Sequence, residues 1–372
     1  MRVSFQHSPI ALAALLALGA GSALAQPAPN TLPVQRPGGA LINATVGTPS
    51  GNALNVTQTR SANNRGLIEW SSFSIGSASR VHIVQPNAQS VLVNRVVGSG
   101  AGGPSASEIY GAMSANGRVF LVNPSGVVFG GSAQVNVGSL VATSLDLDSA
   151  MTANNYQRLM EGGAVVLGPG GLAGAVQVLA PDDASRPQIQ VNEGGSIVLV
   201  SPSQLTQAGH IAAAGGRIHL ASASGATLVP VGESGFIDVA LQPGTGRVEL
   251  GARSLTVASD GGRVSIQGDD IRLREGSQVL ADGRYGGGRI DVGNDNTRSI
   301  VAEQGSLLSA DATESGNGGS VKLRAMYNNQ AAAPVGRVDY GVTEAYGLIR
   351  ARGGVAGGNG GQVETSGVSV NT

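Results

Sequence analysis

The sequence predicts an all-β protein whose short strands stack as a parallel β-helix, a solenoid of successive coils. Three observations carry this expectation. Gly supplies 58 of 372 residues, roughly twice the usual share, without the strict three-residue period of collagen. Apolar runs are short and end at Gly, Asn or Pro, which is the pattern of brief strands joined by tight turns. One strand motif also returns again and again along the second half of the chain. Aromatic residues are only 3% while apolar residues reach 41%, so the core must come from Val, Ile, Leu and Ala, and disorder is disfavoured.

Taken in order, Met1 to Ala25 has the form of a secretory signal: Arg2 and His7 lead, an apolar run extends from Ile10 to Leu18, and Ala23-Leu24-Ala25 precedes Gln26. The run is too short to span a bilayer, and its small-x-small ending places signal cleavage between Ala25 and Gln26. No later stretch is long and apolar enough for a transmembrane helix, so no integral membrane span is expected after cleavage. Gln26 to Pro37 carries Pro27, Pro29, Pro33 and Pro37, an extended lead-in unsuited to the middle of a sheet. Strands are then expected over Ala40 to Val46, Leu54 to Gln58, Gly66 to Trp70 and Arg80 to Gln85. Trp70 is the only tryptophan, and with Phe73 and Ile75 it supplies the bulk expected of a core or capping residue.

The stretch from Gly117 to Ala142 is the densest in strand signals. Val119 to Val122 is apolar at every position, so both of its faces should be covered. It ends at Asn123-Pro124-Ser125-Gly126, a turn sequence, and is followed by Val127 to Phe129, Gly130-Gly131, and the Val135, Val137 and Val141 set. A single short helix is expected over Asp146 to Met160, with Asp148 or Ser149 as N-cap, Tyr156, Leu159 and Met160 on one face, and Gly162-Gly163 as the stop.

After Gly162 the motif Gly, polar, Ile or Val, any, apolar recurs. It begins at Gly195, Gly216, Gly246, Gly262, Gly288 and Gly319, and more loosely at Gly336 and Gly361. The middle residue is polar in most copies, as in a strand with one face in and one face out. A second unit precedes several copies, beginning at His210, Ser277, Ser306 and Leu348. The interval is irregular for a propeller blade and suits coils with loop insertions. A lone coil cannot bury enough apolar surface to order itself, so coils must come in series with a cap on the first one, for which the Trp70 region is the candidate.

Chemistry is sparse. The formal net charge of -1 provides no field to recruit nucleic acid, and the absence of Cys excludes disulfides and thiolate metal sites. Asp182-Asp183, Asp269-Asp270, Asp282 and Asp311 are the carboxylates that a polysaccharide-cleaving β-helix enzyme would need, but each is expected at a turn, where Asp is favoured for geometry. His82, His210 and His219 lie in strand-like segments without metal spacing, and glycine runs such as Gly286-Gly287-Gly288 lack the Lys and helix of a phosphate loop. Asn123 and Asn136 are a candidate polar ladder satisfying buried backbone. No catalytic residue, cofactor or metal is therefore assigned.

Several ordered blocks resemble the N-terminal secretion domain of the filamentous haemagglutinin family, the exported partner in two-partner secretion. They are Ile68 to Gly76, Gln85-Pro86-Asn87 followed by Val91 to Val96, Ile109-Tyr110-Gly111, and Ala115 to Gly130 continuing to Val135-Asn136-Val137-Gly138. Gly353-Gly354 and Gly361 to Gly367 are similar to the family's later coils. The resemblance implies a right-handed parallel β-helix with an N-terminal cap and small extra-helical strands. It also implies recognition in the periplasm by an outer-membrane pore-forming transporter with periplasmic binding modules, with Asn123, Pro124, Ser125 and Gly126 as the transporter-recognition motif. The family motif usually reads Asn-Pro-Asn-Gly; Ser125 stands in place of the second Asn and can still bond the backbone of a turn.

The expected organisation is a signal peptide over 1–25, a capped secretion-domain core over 26–165, and continuing coils over 166–372. The expected function is that of a secreted or cell-surface adhesin-type exoprotein of a Gram-negative bacterium, with a host glycan or surface receptor as a further candidate partner. The alternatives are a polysaccharide-degrading β-helix enzyme, or the N-terminal part of a contact toxin, cytolysin or haem-acquisition exoprotein. The repeat runs on to Thr372 without an evident cap, so the last coil is expected to expose a strand edge, with a longer natural product, a truncated reading frame or a partner on that edge as the alternatives.

Overall fold

The computed structural model describes residues 26–100, 103–231, 235–327 and 341–372. The expected signal segment, including Ala25, and the loose repeat copy at Gly336 lie outside these, while Gln26 is exposed at the start of the first described segment. Nearly all ordered backbone is strand, and the strands form three long sheets. The chain visits these sheets in rotation. Ala112–Ala115 lies in the third sheet, Arg118–Val122 in the first and Val127–Phe129 in the second, after which Gln134–Val137 returns to the third one level further along. Along the column each strand pairs in parallel with its counterpart in the coils before and after, as the repeat pattern predicts for a parallel β-helix.

Register explains the motif. In the first sheet Val119, Leu140, Ile197, Ile218, Val264, Ile290 and Val321 sit directly over one another, and all are fully buried. In the third sheet Ile189, Ile211, Thr256, Val279 and Leu308 form the matching column. The second unit of the repeat is therefore the third-sheet strand, and the motif proper is the first-sheet strand. One copy departs: Gly246 opens the Arg247–Leu250 strand, which belongs to the second sheet, because the preceding first-sheet strand runs on into a long hairpin. An identical inward-outward alternation on every face of the prism makes the copies indistinguishable in sequence.

The motif glycine is required by close approach rather than by unusual backbone angles. The carbonyl of Gly216 accepts the N–H of Arg263, that of Gly262 accepts Arg289 N–H, and that of Gly288 accepts Ser320 N–H, at 3.0, 3.0 and 2.9 Å. A Cβ on Gly262, Gly288 or Gly319 would lie 2.7, 2.1 and 2.0 Å from the same carbonyl of the coil before it. Any side chain at this corner would push successive coils apart.

Two corrections concern the ends of elements. The Ala40 to Val46 strand is divided at Asn43, whose φ of 50° turns the chain, into Leu41–Ile42 against the first sheet and Ala44–Val46 in the third. These two, with Val34–Gln35, run antiparallel to their neighbours and close the first coil above Trp70, which is fully buried and packs edge-on against Phe73 at 5.2 Å. The helix α1 covers Ser149–Met160, shorter than expected, because Asp146–Leu147 is drawn into an antiparallel pairing with Leu167 and Gly168. Asp148 is its N-cap, accepting from Met151 N–H at 2.9 Å. The helix is broken internally: Asn154, Asn155 and Tyr156 all adopt left-handed backbone angles.

Asp146–Leu147, Val165–Gly168, the end of Arg217–Pro230 and Ile237–Pro243 make a small antiparallel sheet outside the helix. With α1 it covers the outer face of the first sheet. Val119 and Leu121 point into the solenoid core, whereas Phe120 and Val122 belong to a second buried cluster with Val141, Val198, Leu159 and Leu228. The two-sided burial expected for Val119 to Val122 is thus met by two different cores.

Candidate functional site

The Asn123-Pro124-Ser125-Gly126 segment forms the corner between the first and second sheets. Strand Arg118–Val122 ends because Pro124 has no N–H to donate, and Gly126 N–H closes the turn onto Asn123 O at 2.9 Å. The Asn123 carboxamide accepts Ser125 N–H at 3.0 Å and donates to Ser105 O and Ser107 Oγ, both at 2.9 Å. That one side chain therefore builds its own turn and pins the neighbouring coil. Ser125 Oγ donates to Pro104 O at 2.5 Å, so the serine at the variant position has a partner of its own. Gly126 has φ of 115°, and a Cβ there would lie 2.7 Å from Ala175 O.

Burial decides what this corner can do. Asn123 is fully buried, Pro124 and Gly126 are buried, and only Ser125 is half-buried. Residues 123–126 thus sit together, as the sequence predicts, but enclosed by Pro104, Ala175 and the Gly170 to Gly174 return of the insert. The expected ladder between Asn123 and Asn136 is absent: Asn136 faces outward in the third sheet, in register with Ser114 and Gln190. Asn123 sits at the corner between the first and second sheets, so the two residues occupy different faces of the prism.

A second polar cluster was not legible in the sequence. The Arg95 guanidinium holds Asp146 through two bonds of 2.7 and 2.6 Å, and also reaches Glu69 at 3.3 Å and the Tyr156 hydroxyl at 3.0 Å. Tyr156 donates a short hydrogen bond to Glu69, whose other oxygen accepts Ala40 N–H at 3.0 Å. Burial pushes the Glu69 carboxyl up, but Tyr156, Ala40 N–H, Arg95 and Arg36 together outweigh it and hold it below the usual carboxylate range. Burial and Glu69 push the Tyr156 hydroxyl up to about 12. This cluster fastens the helical insert to the capped first coils. The sequence signal, Glu69 beside Trp70 and Arg95 after Asn94, is only two charged residues in buried strands.

The carboxylates weighed for catalysis are engaged elsewhere. Asp269 and Asp270 both face Arg298, Asp311 is held by Arg350 and Arg352, and Asp183 by Arg186 and Arg253. Asp270 opens the strand Asp270–Leu273 rather than lying in a loop. His82, His210 and His219 are strand residues, and among the described residues no group of three His, Asp or Glu side chains could hold a metal. Among the described residues no helix is long and apolar enough to cross a membrane.

The described residues thus form a capped three-sheet β-helix with an antiparallel cover and an Asn-Pro turn at a buried corner. The chain belongs to the TPS secretion domain family, whose model matches residues 35–323. Domains of this family are those of exoproteins secreted by Gram-negative two-partner systems, and they are recognised by cognate outer-membrane transporters. The structure is similar to the crystal structure of the HMW1 secretion domain from Haemophilus influenzae, with a TM-score of 0.53 over 91% of this chain and 96% of that one, at 18% identity, a likeness of fold. Two heme/hemopexin-binding proteins of Haemophilus influenzae align with 39% identity over 99 residues and 40% over 104. Those alignments span 26% and 27% of this chain but only 10% and 11% of the relatives' length.

Proposed function

We propose that this chain is the transporter-recognised part of an exoprotein, and that residues 123–126 are read while the chain is still unfolded. The observation that supports this reading is the burial of Asn123, Pro124 and Gly126 in the finished corner, which leaves a reader of the folded domain almost nothing to touch. On emergence the same residues close the turn, and each completed coil offers the next a paired edge. Nearest-neighbour gain then biases movement outward without nucleotide. The partner is an outer-membrane pore with periplasmic binding modules, and the mature chain starts at Gln26. The role is non-enzymatic; the arginine pairing of Asp183, Asp269, Asp270 and Asp311 favours this.

The experiment is co-expression with the cognate transporter of wild-type, Asn123→Ala and Gly126→Pro chains, with secreted fraction as the readout. Both substitutions are expected to reduce export strongly. Undiminished export of both would remove the motif's role. Two passenger activities are proposed. An adhesin-type role is our reading of the family resemblance, with a host glycan or receptor as target; the printed names of the heme/hemopexin-binding relatives favour haem acquisition instead. Retention on haemin-agarose compared with binding to host cells separates the two.

A further inference from the structure

The antiparallel cover ends on an open strand. Ile237–Pro243 pairs with Arg217–Pro230 on one side, and among the described residues no strand pairs with its other edge. Where this pairing begins, Val231 N–H donates to Phe236 O at 2.9 Å. Bonded and non-bonded positions alternate from there along an antiparallel pair, so Asp238 and Ala240 turn their N–H and C=O groups toward Arg217–Pro230, while Ile237, Val239 and Leu241 turn theirs to the free edge. The Ile237 N–H obeys this alternation by donating to Ser196 Oγ at 2.9 Å. No neighbouring strand among the described residues meets the corresponding groups of Val239 and Leu241.

Exposed edges are ordinarily blunted by shortness, lysine or proline. This one is seven residues long, carries no lysine and places its proline at the last position, where the pair's register shift also lies. It borders a groove of about 500 Å³ over the outer face of the first sheet, with Val239 on the wall. Arg263, Arg289, Lys322 and Arg324 line that groove against Asp291 and Asp295. Arg289 is paired with Asp291 at 2.5 Å, whereas Arg263 is exposed and makes no ion pair among the described residues. Leu241 and Gln242 line a smaller pocket that continues along the same edge.

Because the cover is packed on the outer face of the first sheet, a strand added beside Val239 and Leu241 would lie in this groove, with every second side chain facing Arg263 and Arg289. A second copy of this chain does not suit the position, since two-fold pairing of Ile237–Pro243 with itself would set one cationic groove against another. We propose that the edge takes up an extended acidic segment of a partner protein as a fifth strand of the antiparallel cover, bonded through the backbone of Val239 and Leu241, with its Asp or Glu side chains over Arg263 and Arg289. In strand addition the main-chain bonds supply the grip and the alternating side chains select the partner. Guanidinium forks suit carboxylates. The inference does not rest on the export reading, since it concerns the folded surface and is measured on purified protein.

The test is fluorescence-anisotropy titration of the purified, folded full chain with a labelled peptide of alternating Val and Glu. The comparators are the same peptide with Lys in place of Glu and the acidic peptide with its backbone N-methylated. Only the unmethylated acidic peptide should bind, and methylation should cost about tenfold or more in affinity. The Arg263→Gln/Arg289→Gln double variant should lose a similar factor with an unchanged melting temperature, whereas Arg80→Gln, at an exposed arginine on the third sheet, should bind as wild type. Hydrogen exchange at the Val239 and Leu241 amides of the unaltered chain should slow when the acidic peptide is bound, a readout that needs no substitution. Absence of binding, equal binding of the methylated or Lys peptide, equal binding by the double variant, or unchanged exchange at Val239 and Leu241 would each overturn the proposal. So would a dimer of the chain that the peptide dissociates, because a second copy would then hold the edge.

Discussion

Arg95 grips Asp146 through two parallel N–H···O bonds of 2.7 and 2.6 Å, joining a strand of the early coils to the first strand of the antiparallel cover. Their side chains are only 17% and 19% exposed, so neither charge can be left alone cheaply. Asp146→Ala should lower the unfolding free energy by about 3 kcal/mol. Hydrogen exchange should accelerate first in α1 and the Val165–Gly168 strand, because these elements depend on the clamp for docking. Uniform acceleration along all coils would show that the insert is not separately fastened.

Acid should act on this protein in two windows. His219 is drawn down to about 4 by burial, reinforced by Arg217 and Arg263 and opposed by Asp238, from an ordinary value of 6.5. A depressed folded pKa contributes stability above the unfolded value that is lost as pH falls, here between 6.5 and about 4. Glu69, also depressed, contributes stability above roughly pH 4 that is lost as pH falls through its lower folded value. In urea titrations across pH, His219→Gln should flatten the first window and Glu69→Gln the second. An unchanged slope in either variant would contradict the corresponding assignment.

Two glycines two positions apart should behave oppositely. A Cβ on Gly288 would stand 2.1 Å from Gly262 O, whereas one on Gly286 would meet nothing nearer than 3.8 Å. Gly288→Ala should destabilise by about 3 kcal/mol, and Gly286→Ala should stay within about 0.5 kcal/mol of wild type. Chemical denaturation of the two variants decides the matter. Equal losses would mean that coil spacing is not what selects the motif glycine.

Asn123→Ala should also cost stability once the chain is folded. It strands Ser125 N–H, Ser105 O and Ser107 Oγ at a fully buried site, with a loss of roughly 2–4 kcal/mol. Refolding the purified variant in vitro separates this loss from any export defect. A variant as stable as wild type but poorly exported would point to the side chain being read directly by the transporter.

The inward column Val119, Ile197, Ile218, Val264, Ile290 and Val321 was legible in the sequence because a strand's side chains alternate with period two, and that period needs no partner to be seen. Turn chemistry was equally local: Asn123-Pro124-Ser125-Gly126 announced a corner, and Asp148 a helix start. The helix end of Asp146 and Leu147, the second-sheet home of the Gly246 copy, and the separation of Asn123 from Asn136 were not legible, since each depends on which face of the prism a segment occupies.

Sequence alone thus determined that short Gly-bounded strands stack in series with an aliphatic interior, because alternation, turn residues and repetition are properties of neighbours along the chain. Tertiary structure decided where the cover stops and that Arg95, Glu69, Asp146 and Tyr156 meet. Those outcomes come from contacts between residues far apart in sequence, fixed only when coil register and insert docking set one strand against another.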